Sequence, residues 1–316
     1  MARIRILRWL LYSWFAMASA GVLAAPAKIF IVPSRDGGAY AEVIQAIQTG
    51  LEARHQTELT LKILPLETFQ GTDLYVHRPA LIVTVGAEAA QRIAHLNPPA
   101  PMLHTLLPRE TALEIIRSGR GKNALSYHDS AIFLDQPIGR QLDLVRLALP
   151  THKRVAIILG PATRNEAAEL RSAARERSLV VNIAIISQRD ELLPKLETLL
   201  DDNDVLLSVP EPLAYHSETI HHVLLTTYRY KIPMIGLSKG YVDAGALLAV
   251  YSQPEQIGRQ VSQWLGNPAV IGGNLPPPSF PQYFTVSVNQ RVAASLDLYV
   301  DSEQTLQRKL EALPAR

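Results

Sequence analysis

A chain of 316 residues, 47% of them hydrophobic, is long enough for a large core and for about two domains. Its net charge is only +2, with 31 Lys and Arg interleaved among 29 Asp and Glu, so no phosphate-tracking stripe exists and nucleic acid is not an expected partner. The absence of cysteine removes disulfides, thiol catalysis and thiolate metal sites, and an exported chain of this kind must be held by its core.

The N-terminus pairs Arg3, Arg5 and Arg8 with the apolar run 9–24 (WLLYSWFAMASAGVLA). A basic start, an apolar middle and small residues at the end predict a cleavable signal peptide over 1–24. The cut is placed after Ala24, with Val22 and Ala24 at the small-residue positions and Ala20 as the alternative. The run is shorter than the roughly 20 residues a spanning helix needs and is broken by Ser13 and Ser19. No cysteine follows the cut to carry a lipid, so the expected location is the periplasm.

Seven runs are apolar on nearly every residue and rich in β-branched side chains: 28–32, 59–64, 80–85, 154–160, 180–186, 204–209 and 232–237. Continuous apolar character suits strands covered on both faces, as in parallel sheets. Amphipathic stretches of helical length lie between them. In YAEVIQAIQTGLEARH, Val43, Ile47 and Leu51 form one stripe; in NEAAELRSAARER, Ala167, Leu170 and Ala174 face inward. This alternation predicts an α/β fold with Rossmann-like parallel sheets.

The pattern then repeats. The third run of each series ends at a turn, VTVGAEAA in one and LSVPEPLA in the other, and a fourth apolar piece follows each, at 101–107 and 232–238. Two lobes of one architecture are therefore expected. The crossover falls near 130–141, where Pro137 starts a helix whose stripe is Ile138, Leu142, Val145 and Leu149. The Pro- and Gly-dense segment 267–282 reads as a returning linker. A strand at 283–288 and a helix capped by Asn289 should then pack back onto the first lobe. The expected domains are a signal peptide (1–24), an N-terminal lobe (25–134 plus 278–316) and a C-terminal lobe with its return linker (135–277).

The succession AIFLDQPIGRQLDLVRLALP, RVAIILGP, VPEP, TTYRYKIPMIGLSKGYVDAGALLAVY and VSVNQRVAASLDL resembles the ABC-transporter substrate-binding family of type I periplasmic binding fold, which includes tryptophan/tyrosine-type binding components. The resemblance covers most of the chain after the leader, is strongest over 135–258, and is most specific in IPMIGLSKGYVDAGALLAVY. It implies two α/β lobes, a hinge of crossing strands and one small ligand between the lobes, with an ABC permease or another envelope membrane protein as partner. Two positions depart from the pattern. Glu211 stands where the family often carries Asp, and the loop PSRDGG does not match its usual first loop.

Ligands of open α/β sheets sit beyond the carboxyl ends of the strands, so the turns there hold the candidate residues. In the first lobe these are Ser34 and the pair Gly86–Ala87, where glycine permits close approach and a helix start offers N–H groups. Thr163 and Asn165 read as N-caps or as ligand contacts. Asp135, at the crossover, reads as a partner for a ligand ammonium or as an ordinary helix-start acid. Glu211, fixed between Pro210 and Pro212, is expected at the cleft edge opposite Gly86–Ala87, either facing inward as an acceptor or facing water. The resemblance implies that Ser238 hydrogen-bonds the ligand and that Tyr241 or Gly245 lines the pocket.

Catalysis has little support. His216, His221 and His222 lack the spacing of a zinc hydrolase, and no nucleophile elbow, phosphate loop or dinucleotide fingerprint is present. The chain is read as a monomeric, non-enzymatic binding protein without cofactor or metal. It would capture a small metabolite, an amino acid among the candidates; a non-transport sensor or envelope-complex module of the same fold is the alternative.

Overall fold

The computed structural model describes residues 26–56, 58–118 and 129–314. The expected signal peptide lies outside these residues. Two parallel sheets form, as the continuous apolar runs require. The first contains β1 (Ala27–Pro33), β2 (Leu59–Ile63), β3 (Leu81–Val85), β4 (Met102–Thr105) and β5 (Asp129–Ile132), in the order β2-β1-β3-β4-β5. Around it lie α1 (Gly38–Glu52), α2 (Gly71–His77), α3 (Ala87–His95) and α4 (Arg109–Ser118).

After α5 (Ile138–Ala148) the scheme recurs with β6 (Arg154–Leu159), α6 (Ala167–Arg175), β7 (Val180–Ile185), α7 (Leu192–Leu200), β8 (Val205–Leu207), α8 (Ile220–Arg229), β9 (Met234–Gly236), α9 (Lys239–Ala244) and β10 (Leu248–Tyr251). The strand order β7-β6-β8-β9-β10 reproduces the first sheet element for element. Central strands are sealed on both faces: Ile29 to Val32 and Ala156 to Leu159 have no exposed surface.

The chain's last third departs from the expected division. Strand β11 (Thr285–Val288) pairs antiparallel with β10, pairing Leu248 with Val288 and Tyr251 with Thr285. The final segment thus extends the second sheet and does not return to the first lobe. Val286, Ala293, Leu306 and Leu310 close the second core, the last two from α13 (Glu303–Glu311), which follows α12 (Gln290–Ser295). The returning element is α10 (Pro254–Leu265), which belongs to the first core through Ile257, Val261 and Leu265; Val270, in α11 (Pro268–Ile271), joins it.

Two glycines permit this docking of α10 on α1. A Cβ on Gly50 would come within 2.2 Å of Ser262 Oγ, and one on Gly258 within 2.4 Å of the Val43 carbonyl oxygen. Only hydrogen at both positions lets the helices approach so closely.

The chain therefore passes between lobes three times, near 133–137, 252–253 and 279–284. Buried polar groups tie the passes together. Gln136 Nε2 donates to Ser252 Oγ at 2.8 Å, and Ser252 Oγ donates to the Tyr283 carbonyl at 2.6 Å. Arg140 Nη1 donates to Gln136 Oε1 at 2.6 Å and to the Pro281 carbonyl at 3.0 Å. Its guanidinium also stacks 4.3 Å from the Phe284 ring centre.

Candidate ligand-binding cleft

The carboxyl ends of both sheets face one cleft, whose hinge-side part encloses a cavity of about 90 Å³. Five parts of the fold build its walls. The first turn of α4 supplies Arg109, Glu110 and Thr111; the first crossing supplies Asp135 and Gln136. The loop after β6 supplies Thr163 and Glu166, and the turn after β8 supplies Pro210 and Pro212; Phe280 enters from the third crossing. Of the residues singled out from sequence, Asp135 and Thr163 line this cavity.

Glu211 does not face into it. The two prolines line the wall while the carboxylate between them turns back into its own lobe, where Glu211 is only 2% exposed. Its Oε2 accepts from the amides of Ala162 (3.1 Å) and Thr163 (3.2 Å) and from Thr163 Oγ1 (2.9 Å), and Oε1 accepts from the Leu213 amide at 3.1 Å. The carboxylate packs where Gly160 leaves room: a Cβ there would lie 2.5 Å from its carbon. Neither expected orientation of Glu211, toward ligand or toward water, is found; a buried carboxylate needs donors, and these amides supply them.

Ser34 and Gly86 also meet each other. Ser34 Oγ accepts from the Ala89 amide at 2.8 Å and caps α3, which begins at Ala87. Gly86 sits at φ +99°, where a Cβ would lie 2.6 Å from Ser34 Oγ and 2.7 Å from the Tyr40 ring. The glycine thus serves internal packing. Asn165 is exposed in the single 3₁₀ turn 164–166 leading into α6. Ser238 precedes α9 without capping it through its side chain, and Gly245 ends that helix at φ +124°. Tyr241 donates its hydroxyl to the Tyr215 carbonyl at 2.8 Å. His221 and His222 are exposed on α8.

The cavity is poor in positive charge. Arg109, its one lining cation, pairs across the cleft with Glu169 of α6 at 3.1 Å and lies 5.4 Å from the Phe280 ring. The Arg109 amide donates to Asp135 Oδ2. Burial pushes the Asp135 carboxyl up to about 6, against the Arg109 amide, its own amide and the Arg109 charge; Glu110 adds to the rise. Burial likewise pushes Glu166 up to about 7, opposed by Arg109 and reinforced by Asp135, Glu110 and Glu169.

Arg109, Glu110, Glu166, Gln136 and Phe280 went unrecognised in the sequence. The first two follow β4, and Gln136 follows β5. The rule that ligands sit beyond strand ends would have found them had it been applied to these strands too. Among the described residues, no group of three or more His, Cys, Asp or Glu is placed to hold a metal ion, and no helix is long and apolar enough to cross a membrane.

A family model described as ABC transporter substrate binding protein matches residues 70–303. No curated protein matches the sequence. Among solved structures, the chain resembles the ligand-free, open form of CD0873, a substrate-binding protein with adhesive properties from Clostridium difficile, with 16% identity and a TM-score of 0.64, covering 88% of this chain and 97% of that one. It also resembles an ABC domain from Streptococcus pneumonia in complex with L-Trp, with 14% identity and a TM-score of 0.59, covering 89% and 97%. A conserved domain protein from Vibrio cholerae is similar at 16% identity and a TM-score of 0.58, covering 90% and 98%.

Proposed function

The chain belongs to the family of ABC transporter substrate-binding proteins, and from that premise we propose that it captures a small metabolite in the interlobe cavity and presents it to an ABC permease after export to the periplasm. The observation that carries this reading is the make-up of the cavity wall. Both lobes and two of the three crossings contribute to it, so a ligand there touches every part that moves when the lobes part. A ligand shifts a conformational equilibrium only by its differential affinity for the two states, and contacts from both lobes exist only when the cleft is closed.

A cavity of 90 Å³ has room for about three water molecules. A larger ligand enters only when the lobes separate about the Gln136–Ser252–Tyr283 ties, which breaks the Arg109–Glu169 pair. Asp135 and Thr163 are the sequence-derived residues nearest to such a ligand, while Ser34, Gly86, Ala87, Asn165, Ser238, Tyr241 and Gly245 lie outside the cavity wall.

A thermal-shift screen of small metabolites, paired with small-angle scattering, tests the reading. A saturable rise in Tm with a fall in radius of gyration is expected, and both should vanish in Thr111→Trp, whose ring fills the cavity. Ligand binding that ignores that substitution would move the site elsewhere.

A further inference from the structure

Building on the interlobe cavity as the ligand site, we propose that it selects a cationic, amine-bearing ligand and rejects ligands that present a carboxylate or phosphate. Anions in folds of this kind settle on free backbone amides at helix starts. Here the chain's own side chains already occupy such amides on both lobes. The Ala89 amide of α3 is taken by Ser34 Oγ. The amides of Ala162 and Thr163 are taken by the Glu211 carboxylate, an internal anion where a ligand's anion would otherwise dock.

The cavity's cation is committed as well, since Arg109 is paired with Glu169 and set against Phe280. The Gln136 amide is spent on Ser252 and Arg140. The lining charges left over are the carboxylates of Glu110, Asp135 and Glu166. Among the described residues no hydrogen bond or ion pair within 4 Å holds the Glu166 carboxylate, although it lies half-buried at the cavity wall beside Thr163.

A buried carboxylate without a partner resists ionisation, and an incoming ammonium reverses that cost. Glu166, at about 7, and Asp135, at about 6, then ionise on binding and release protons. The charges facing them are Arg109, Glu110, Glu169 and, for Glu166, Asp135; Arg109 is the one charge that opposes protonation, joined at Asp135 by the Arg109 amide and its own. Amine affinity therefore rises with pH across the window from about 5 to 7.5.

The test is calorimetric titration of the signal-free protein with three probe classes: ethanolamine, putrescine and agmatine as cations, glycine and alanine as zwitterions, acetate and phosphate as anions. At least one amine is expected to bind saturably, to weaken about tenfold at pH 5, and to weaken by a similar factor in Glu166→Gln. That substitution removes no internal hydrogen bond, so folding is not at stake; Asp135→Asn serves as the second variant. Binding of zwitterions or anions without amines overturns the charge class and leaves the cavity as the site. Amine binding indifferent to both substitutions also overturns it. Silence from all three classes overturns this inference, whereas the function it rests on falls only if the metabolite screen is silent too.

Discussion

The two lobes reach the same strand order and then solve the same problem in opposite ways. In each, the first and third strands run side by side and end at the cleft, so that Pro33 pairs with Val85 and Ala156 with Leu206. In the first lobe the side chain comes from the end of the first strand and the glycine from the third: Ser34 reaches over Gly86 to cap α3. In the second the arrangement is exchanged, and Glu211, beyond the third strand, reaches over Gly160 to hold the loop after the first. Topology demands that amides at these ends be satisfied; it does not dictate which strand provides the acceptor.

A similar divergence lies one layer deeper. Thr84 of β3 shares a 2.7 Å hydrogen bond with His104 Nδ1, whereas Ser208, just past β8, donates to the Ile235 carbonyl at 2.6 Å. His104 is fully buried with Nε2 unpartnered, and burial pushes its imidazole down to about 4.

The comparison breaks most severely at Gly86. Gly86→Val forces a left-handed backbone on a β-branched residue and drives its Cβ into Ser34, so a loss of about 3–5 kcal/mol is expected in urea unfolding. Next is the first lobe's histidine. Its depressed pKa gives stability that is present above the ordinary value of 6.5 and lost as pH falls toward about 4. The interval of about 2.5 units corresponds to about 3 kcal/mol. It should be measured as the difference in pH dependence between the wild type and His104→Leu. The difference is needed because Asp135 and Glu166, whose pKa values are raised, contribute with opposite sign, losing stability as pH rises through about 6 and 7.

The two caps give the finest contrast. Glu211→Gln puts an NH₂ group among four donors and should cost about 1–3 kcal/mol by chemical denaturation. Ser34→Ala, removing one neutral cap, should cost about 1 kcal/mol in the same assay. Equal losses would remove the distinction between a charged and a neutral solution.

Much of the fold was legible in the sequence because strands buried on both faces must be apolar throughout. What the residues could not disclose was partnership. The stripe Ile257, Val261 and Leu265 announces a helix with a core-facing side, yet it fits either core equally well. The decisive clue was steric, in the glycines Gly50 and Gly258. The strand expected at 283–288 forms over 285–288, but its neighbour was not visible in the sequence. At the cleft, Pro-Glu-Pro marked a rigid exit from a strand, but the direction of the Glu211 carboxylate depends on Gly160, fifty-one positions earlier. Arg109, Glu110 and Glu166 look like ordinary helix-start charges in PRET and TRNEA, and only the meeting of the lobes sets them around one space.

The three passes between lobes also bear on the order in which the protein can be made. The first core is not closed until Val270 and Leu275 arrive, and the second waits for Leu306 and Leu310. Neither half is a finished unit when its own parallel strands have been synthesised, and cutting the chain at the middle crossing, near 252–253, leaves both unfinished. Contacts between residues so distant in sequence form late. The nascent chain therefore keeps the second core unsealed until the C-terminal helix has emerged, whereas the first can close about thirty residues sooner, once Leu275 is out.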